Sequence, residues 1–219
     1  MVKGELWFWA ALRWRAPKRE LHGIETWAPL MECEDQKIAF SRVADAIELV
    51  KQYSPGRYLR LQRSFSSIVI WGTTSDTASY VCRSRMCRLW QSFILSPDVR
   101  TTYIASVLVH EATHGWLDGH GIQYSESVRH RIERVCVRAE LLFCRRMPGA
   151  ADEIMRAERR LPTLHAEQFT DAAFLTESQR ALRELGCPSW LVRTVTWITK
   201  LRRRVASLRA AAQKAGRSP

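Results

Sequence analysis

The sequence predicts an α+β fold, with a small sheet on one side and a helical C-terminal part. Three observations lead there. Apolar residues recur at helical spacing between Ile38 and Tyr53; compact β-type runs follow between Tyr58 and Leu95; and from Ser96 onward the pattern is helical to the end. With 219 residues, 46% of them hydrophobic, and nine tryptophans, the chain can bury a sizeable core and is not of disordered composition.

The elements follow in order. Residues 1–35 are aromatic-rich and broken by charges and prolines, which predicts irregular packing on the main body, with the tryptophans at 7, 9, 14 and 27 as core residues. Phe40, Val43, Ile47 and Val50 mark one face of a helix that stops at Ser54-Pro55-Gly56. Leu59 and Leu61 alternate with polar residues, Ile68 to Trp71 form a β-type run, and Ala78–Cys82 and Leu89–Leu95 read as two more strands. Leu89–Leu95 is the expected sheet edge, because it leads directly into the next helix. Ser96-Pro97-Asp98 then offers an N-cap, a proline at the first helical position and a first-turn acid, predicting a helix to about Asp118 that ends at Gly119. A second helix should begin near Ser125 or Ser127 and stop before Pro148. Beyond it the chain reads as helical, with a break at Gly186-Cys187-Pro188. The expected division is therefore 1–148 for the main domain and 149–219 for a helical extension.

Charge and cysteine content narrow the class. The net charge is +12, and Arg193, Lys200, Arg202, Arg203, Arg204, Arg209, Lys214 and Arg217 lie after Leu191 with no acidic residue among them. Such a tail attracts nucleic acid or another anionic surface through Coulomb forces, or serves as a solubilising helix end. The six cysteines are too scattered for a disulfide framework or a structural zinc finger, and they read as ordinary thiols. The apolar run from Leu6 to Leu12 is too short for a transmembrane segment and has no cleavage site after it, so a cytoplasmic location is expected.

The informative stretch is His110-Glu111-Ala112-Thr113-His114. Positions i and i+4 of a helix lie one turn apart on one face, so both imidazoles can reach one ion. Neutral imidazole suits Zn²⁺, and the zinc lowers the pKa of a bound water toward about 7. Glu111 is then placed to act as general base toward that water without being a ligand. Two histidines satisfied structurally on a helix are the competing explanation.

A catalytic zinc needs a third protein ligand and an open position. Glu133 and Glu140 lie on the next predicted helix, and His120 just after the first. A three-histidine site of that kind wants a glycine where Leu117 stands, although Gly119 offers a nearby exit from the helix. All three residues remain candidates on spacing alone. For an oxyanion donor, Tyr124 and His130 are nearest in sequence. Asp118 is a candidate to orient a ligand histidine.

The pair formed by His110–His114 and the segment from Glu133 to Ala139-Glu140-Leu141-Leu142 resembles the active-site helices of the gluzincin branch of the zincin-like zinc peptidases. It is particularly similar to minimal regulatory peptidases of the ImmA/IrrE type. The resemblance covers residues 100–148. It implies a zincin-like fold, Glu133 as third ligand, Glu140 as a packing or orienting residue, and a sheet edge able to pair with an extended peptide substrate. The segment from Phe143 to Met147, which separates the two leucines from Pro148, is longer than in that family. The expected function is a zinc-dependent metallopeptidase with His110, His114 and Glu133 as ligands. The alternatives are a non-proteolytic zinc-containing interaction module and a protease recruited to DNA by the basic tail.

Overall fold

In the structure, a computed structural model, residues 13, 14, 16–29, 31–72, 77–184, 186–194 and 196–198 are described. The apolar run at 6–12, Trp7 and Trp9, and the basic residues from Lys200 onward lie outside them. The chain falls into two compact units, one spanning Leu6–Ala166 and the other comprising Met1–Glu5 with Glu167–Pro219. The larger unit extends past the boundary expected at 148, because the helix that follows packs back on its predecessor.

Five short strands form one sheet in the order β1-β2-β3-β5-β4: β1 (Lys18–Leu21), β2 (Ile24–Trp27), β3 (Ser67–Ile70), β4 (Ala78–Val81) and β5 (Met86–Leu89). The two outer pairs, β1/β2 and β4/β5, are antiparallel, whereas β2/β3 and β3/β5 run parallel, so the sheet is mixed. Helices of the larger unit include α1 (Cys33–Tyr53), α2 (Pro55–Ser64), α3 (Gln91–Leu95), α4 (Thr101–Gly119), α5 (Arg129–Cys144) and α6 (Ala151–Thr163). The smaller unit contains α7 (Asp171–Glu184) and helical turns at 189–194 and 196–198, where Gln179 Nε2 donates to Thr196 Oγ1 at 3.2 Å. Among the described residues no helix is long and apolar enough to cross a membrane.

Strand alternation divides the buried residues between the sheet's two faces. Ile68 and Ile70 join Ile24, Cys87 and Leu89 in the main core, whereas Val69 packs with Trp27 and Met86 in a smaller cluster. The main core is completed by Phe40, Val43, Ile47 and Val50 of α1 and by Ile104, Leu108 and Ala112 of α4. Because α1, α2 and α5 all pack on α4, that helix is buried along most of its length. Its placement is close to a limit at Gly115, where a Cβ would lie 2.7 Å from Ser64 Cβ and 3.0 Å from a Tyr80 ring carbon. Only glycine lets α4 approach α2 and β4 this closely.

Five local expectations are corrected. Residues 18–27 form a β-hairpin rather than irregular structure: His22 and Gly23 take positive φ of 50° and 80° at the two central positions of its turn. Trp27 is core, whereas Trp14 is 80% exposed. The alternation at Leu59 and Leu61 belongs to helix α2, started by Pro55 at its first position; Leu61 is buried and Leu59 is exposed. Leu89–Leu95 is not a strand: β5 ends at Leu89, lies inside the sheet, and is followed by α3, so β4 is the edge on that side. A short apolar run is compatible with either state, and burial of Phe93 and Ile94 decides it. Finally, Ser96-Pro97-Asp98 does not cap α4, which starts at Thr101 without a side-chain cap. Arg42 of α1 instead donates to the carbonyls of Ile94, Ser96 and Val99, drawing the segment into a turn at the end of α3.

Candidate metal centre

On α4, Val107, Leu108 and Val109 fix the helix in the core, and the following turn carries His110, Glu111 and His114 on its inner side. Both imidazoles are largely buried, and their ring centroids lie 5.1 Å apart. Helix α5 crosses against this turn and presents Glu133, Cys136 and Glu140, all buried. Its apolar residues Ile132, Val137 and Leu141 seat that face on the protein body.

Glu133 spans the two histidines. One carboxylate oxygen lies 3.4 Å from His110 Nε2, and the other lies 3.3 Å from His114 Nε2. Glu140 reaches the opposite nitrogen of His110, with Oε2 3.4 Å from Nδ1, while Ser106 Oγ donates to its Oε1 at 3.4 Å. The two glutamates therefore divide the imidazole between them: Glu140 engages Nδ1, and Nε2 faces Glu133 and His114. A histidine that donates Nδ1–H to a carboxylate keeps its Nε2 lone pair for a metal. Tyr124 donates its hydroxyl to Glu133 Oε1 at 2.7 Å and sets its ring edge-on to His114. Arg160 of α6 brings NH2 to 3.5 Å from Glu133 Oε2.

Burial works to lower the pKa of His110, but the hydrogen bonds it donates to Glu133 and Glu140 and the charge of Glu111 outweigh it and push the value up to about 10. Burial works to raise that of Glu133, and the two histidines hold it well below the usual carboxylate range. The two carboxylates thus raise the proton affinity of the imidazole they flank. Burial and the charge of Glu133 likewise push the Tyr124 hydroxyl up, so it remains a donor. Glu111 is buried beside these groups; among the described residues no hydrogen bond or ion pair holds its carboxylate.

The remaining candidates are elsewhere. His120 is exposed at the end of α4, where its ring lies on Trp116 and Nδ1 faces the Trp116 carbonyl at 2.7 Å. His130 is half-buried in the first turn of α5, and among the described residues no hydrogen bond or ion pair ties it to the cluster. Asp118 accepts from the Tyr80 hydroxyl at 3.2 Å, which joins the end of α4 to β4 instead of orienting a ligand histidine.

Two residues escaped the sequence reading. Arg160 belongs to a helix assigned to the extension, and no local pattern links it to Glu133. By sequence Cys136 reads as an ordinary thiol, yet ligand atoms of His110, His114 and Cys136 all lie within 4.8 Å of one another. The signal was its position three residues after Glu133, which puts both on one face of α5. Burial, with the charges of Glu133 and Glu111, pushes its thiol well above the ordinary cysteine range, so without a metal it is protonated.

By donor chemistry His110, His114 and Cys136 form a group that could hold a metal ion. Against family models, curated proteins and solved structures alike, the chain finds no match.

Proposed function

We propose that this chain is a zinc metallopeptidase of the gluzincin-like type, with a zincin-like arrangement of sheet and helices in the larger unit. His110, His114 and Glu133 hold the metal, and Glu111 is the general base. The observation that carries this reading is the division of labour around His110: Glu133 bridges the two Nε2 atoms while Glu140 takes Nδ1. Two histidines satisfied only structurally would not require a second carboxylate to fix the tautomer of the first.

When bound, zinc supplies Lewis acidity, polarising a carbonyl and acidifying water at neutral pH. The protein's own part is proton handling and orientation. Glu111 takes a proton from the attacking water and returns it to the leaving amine, a role suited to a carboxylate with no competing ion pair. Glu140 keeps His110 in one tautomer. Tyr124, already donating into the site, is the hydroxyl best placed to stabilise negative charge developing on the substrate. An extended peptide would lie along the outer side of β4, which packs on α4 and whose other side is taken by β5.

Metal analysis of the purified chain tests the assignment. One zinc per chain is expected in wild type and in His120→Ala, and none in Glu133→Ala. Glu111→Gln should keep its zinc and lose roughly 10²–10⁴-fold in peptide hydrolysis. Wild type that takes up no zinc when supplied with it would remove the enzyme reading.

A further inference from the structure

The metal-binding face has one more donor than a hydrolytic site uses. Helix α4 contributes His110 and His114 one turn apart, and α5 contributes Glu133 and Cys136 one turn apart. The sulfur of Cys136 and the imidazole nitrogens fall within the same 4.8 Å span. The same two imidazoles thus meet Glu133 through its two carboxylate oxygens and have the Cys136 sulfur beside them. The back of Cys136 is closed by Leu117 and Ile132, with Tyr124 and Val128 packed around them, so solvent does not reach the thiol from that side.

Resting on the zinc reading above, we infer that Cys136 is a fourth protein donor, and that its sulfur fills the position a catalytic zinc leaves open for water. Zinc with four protein donors is a closed site, and zinc with three is an open one. On binding, the thiol gives up its proton to solvent and the thiolate pair forms the bond to the metal; no change of oxidation state is involved. The resting protein is then latent. Hydrolysis requires the Cys136 sulfur to withdraw, and whatever moves α5 by a small amount relative to α4 controls the activity. Thiolate also biases the site toward zinc over magnesium, calcium or manganese, which prefer oxygen.

Cobalt(II) substitution of the full chain tests this without a substrate. Stoichiometric cobalt should give wild type a sulfur-to-metal charge-transfer band in the near ultraviolet. Cys136→Ser should bind cobalt and lose that band, while Cys87→Ala keeps it. Added azide should leave the visible spectrum of wild type unchanged and shift that of Cys136→Ser, whose fourth position is open. A wild-type cobalt protein with no sulfur band overturns the donor role, and an azide shift as large in wild type as in the variant overturns the closure; in both cases the zinc reading stands. Wild type that binds neither cobalt nor zinc overturns both readings. Should Cys136→Ser fail to fold, X-ray absorption on the wild-type zinc protein decides: one sulfur at about 2.3 Å supports the assignment, and only nitrogen and oxygen neighbours refute it.

Discussion

At the scale of single residues, the centre is organised by which nitrogen of His110 each carboxylate meets. Glu140 contacts Nδ1 at 3.4 Å without bridging the two histidines, so its removal should loosen the site without emptying it. Glu140→Gln is expected to weaken zinc binding by about 10–100-fold, measured by competition with a chelator, whereas Glu133→Gln removes a donor outright. The pH behaviour of the metal-free protein follows from the same contacts. The pKa of His110 is raised from 6.5 to about 10 on folding, so its contribution to stability is complete below pH 6.5 and is lost as the pH rises toward 10. Glu133 shifts the other way: its contribution is present above its ordinary value of 4.5 and is lost as the pH falls below it. The melting temperature of the stripped protein should therefore decline from pH 6.5 to 10. That decline should be much shallower with zinc bound, because the ion has replaced the proton. A stripped protein equally stable at both ends of that range would show that His110 is not held as the imidazolium.

At the scale of elements, the position of α4 depends on a close approach that only glycine permits. Gly115→Ala places a Cβ into Ser64 and Tyr80, atoms held by α2 and β4, and should cost about 1–3 kcal/mol. Gly119, in the last turn of the same helix, has nothing within 4 Å of the corresponding position, so Gly119→Ala should be neutral or stabilising by up to about 1 kcal/mol. Urea denaturation of the two variants side by side checks the contrast. The elements also differ in how readable they were. Helices α1 and α4 carry their pattern locally, because apolar residues at helical spacing are a property of the segment itself. The true start of α4 was not readable, because Arg42, more than fifty residues away, holds the carbonyls around Ser96-Pro97 in a turn. The hairpin at 18–27 did leave a signal, the His22-Gly23 pair that its two-residue turn demands, but the surrounding strands are too short to show alternation.

For the molecule as a whole, the residues of the candidate metal centre and the contacts around them lie in the unit spanning Leu6–Ala166. A chain ended after Ala166 should bind one zinc with unchanged affinity and keep the effect of Glu140→Gln. A truncated protein that folds but has lost its zinc would assign residues beyond 166 a part in the site. The helix α6 belongs to this unit for a specific reason: buried Glu153 is held by Arg100 and Thr102 at the start of α4, and Arg160 near its other end reaches Glu133. The sequence by itself determined the α+β class, the helix carrying His110, Glu111 and His114, and Glu133 as one of three candidates for the next donor. Those features rest on local periodicity, which repeats along a segment and needs no partner to be seen. Only the tertiary structure set Glu133 and Glu140 beside the two histidines and His120 away from them, placed β4 rather than Leu89–Leu95 at the sheet edge, and brought Cys136 and Arg160 to the centre. Each of those is a meeting of side chains from different elements, set by how α4, α5 and α6 pack, and packing geometry leaves no mark in the spacing of residues along one chain segment.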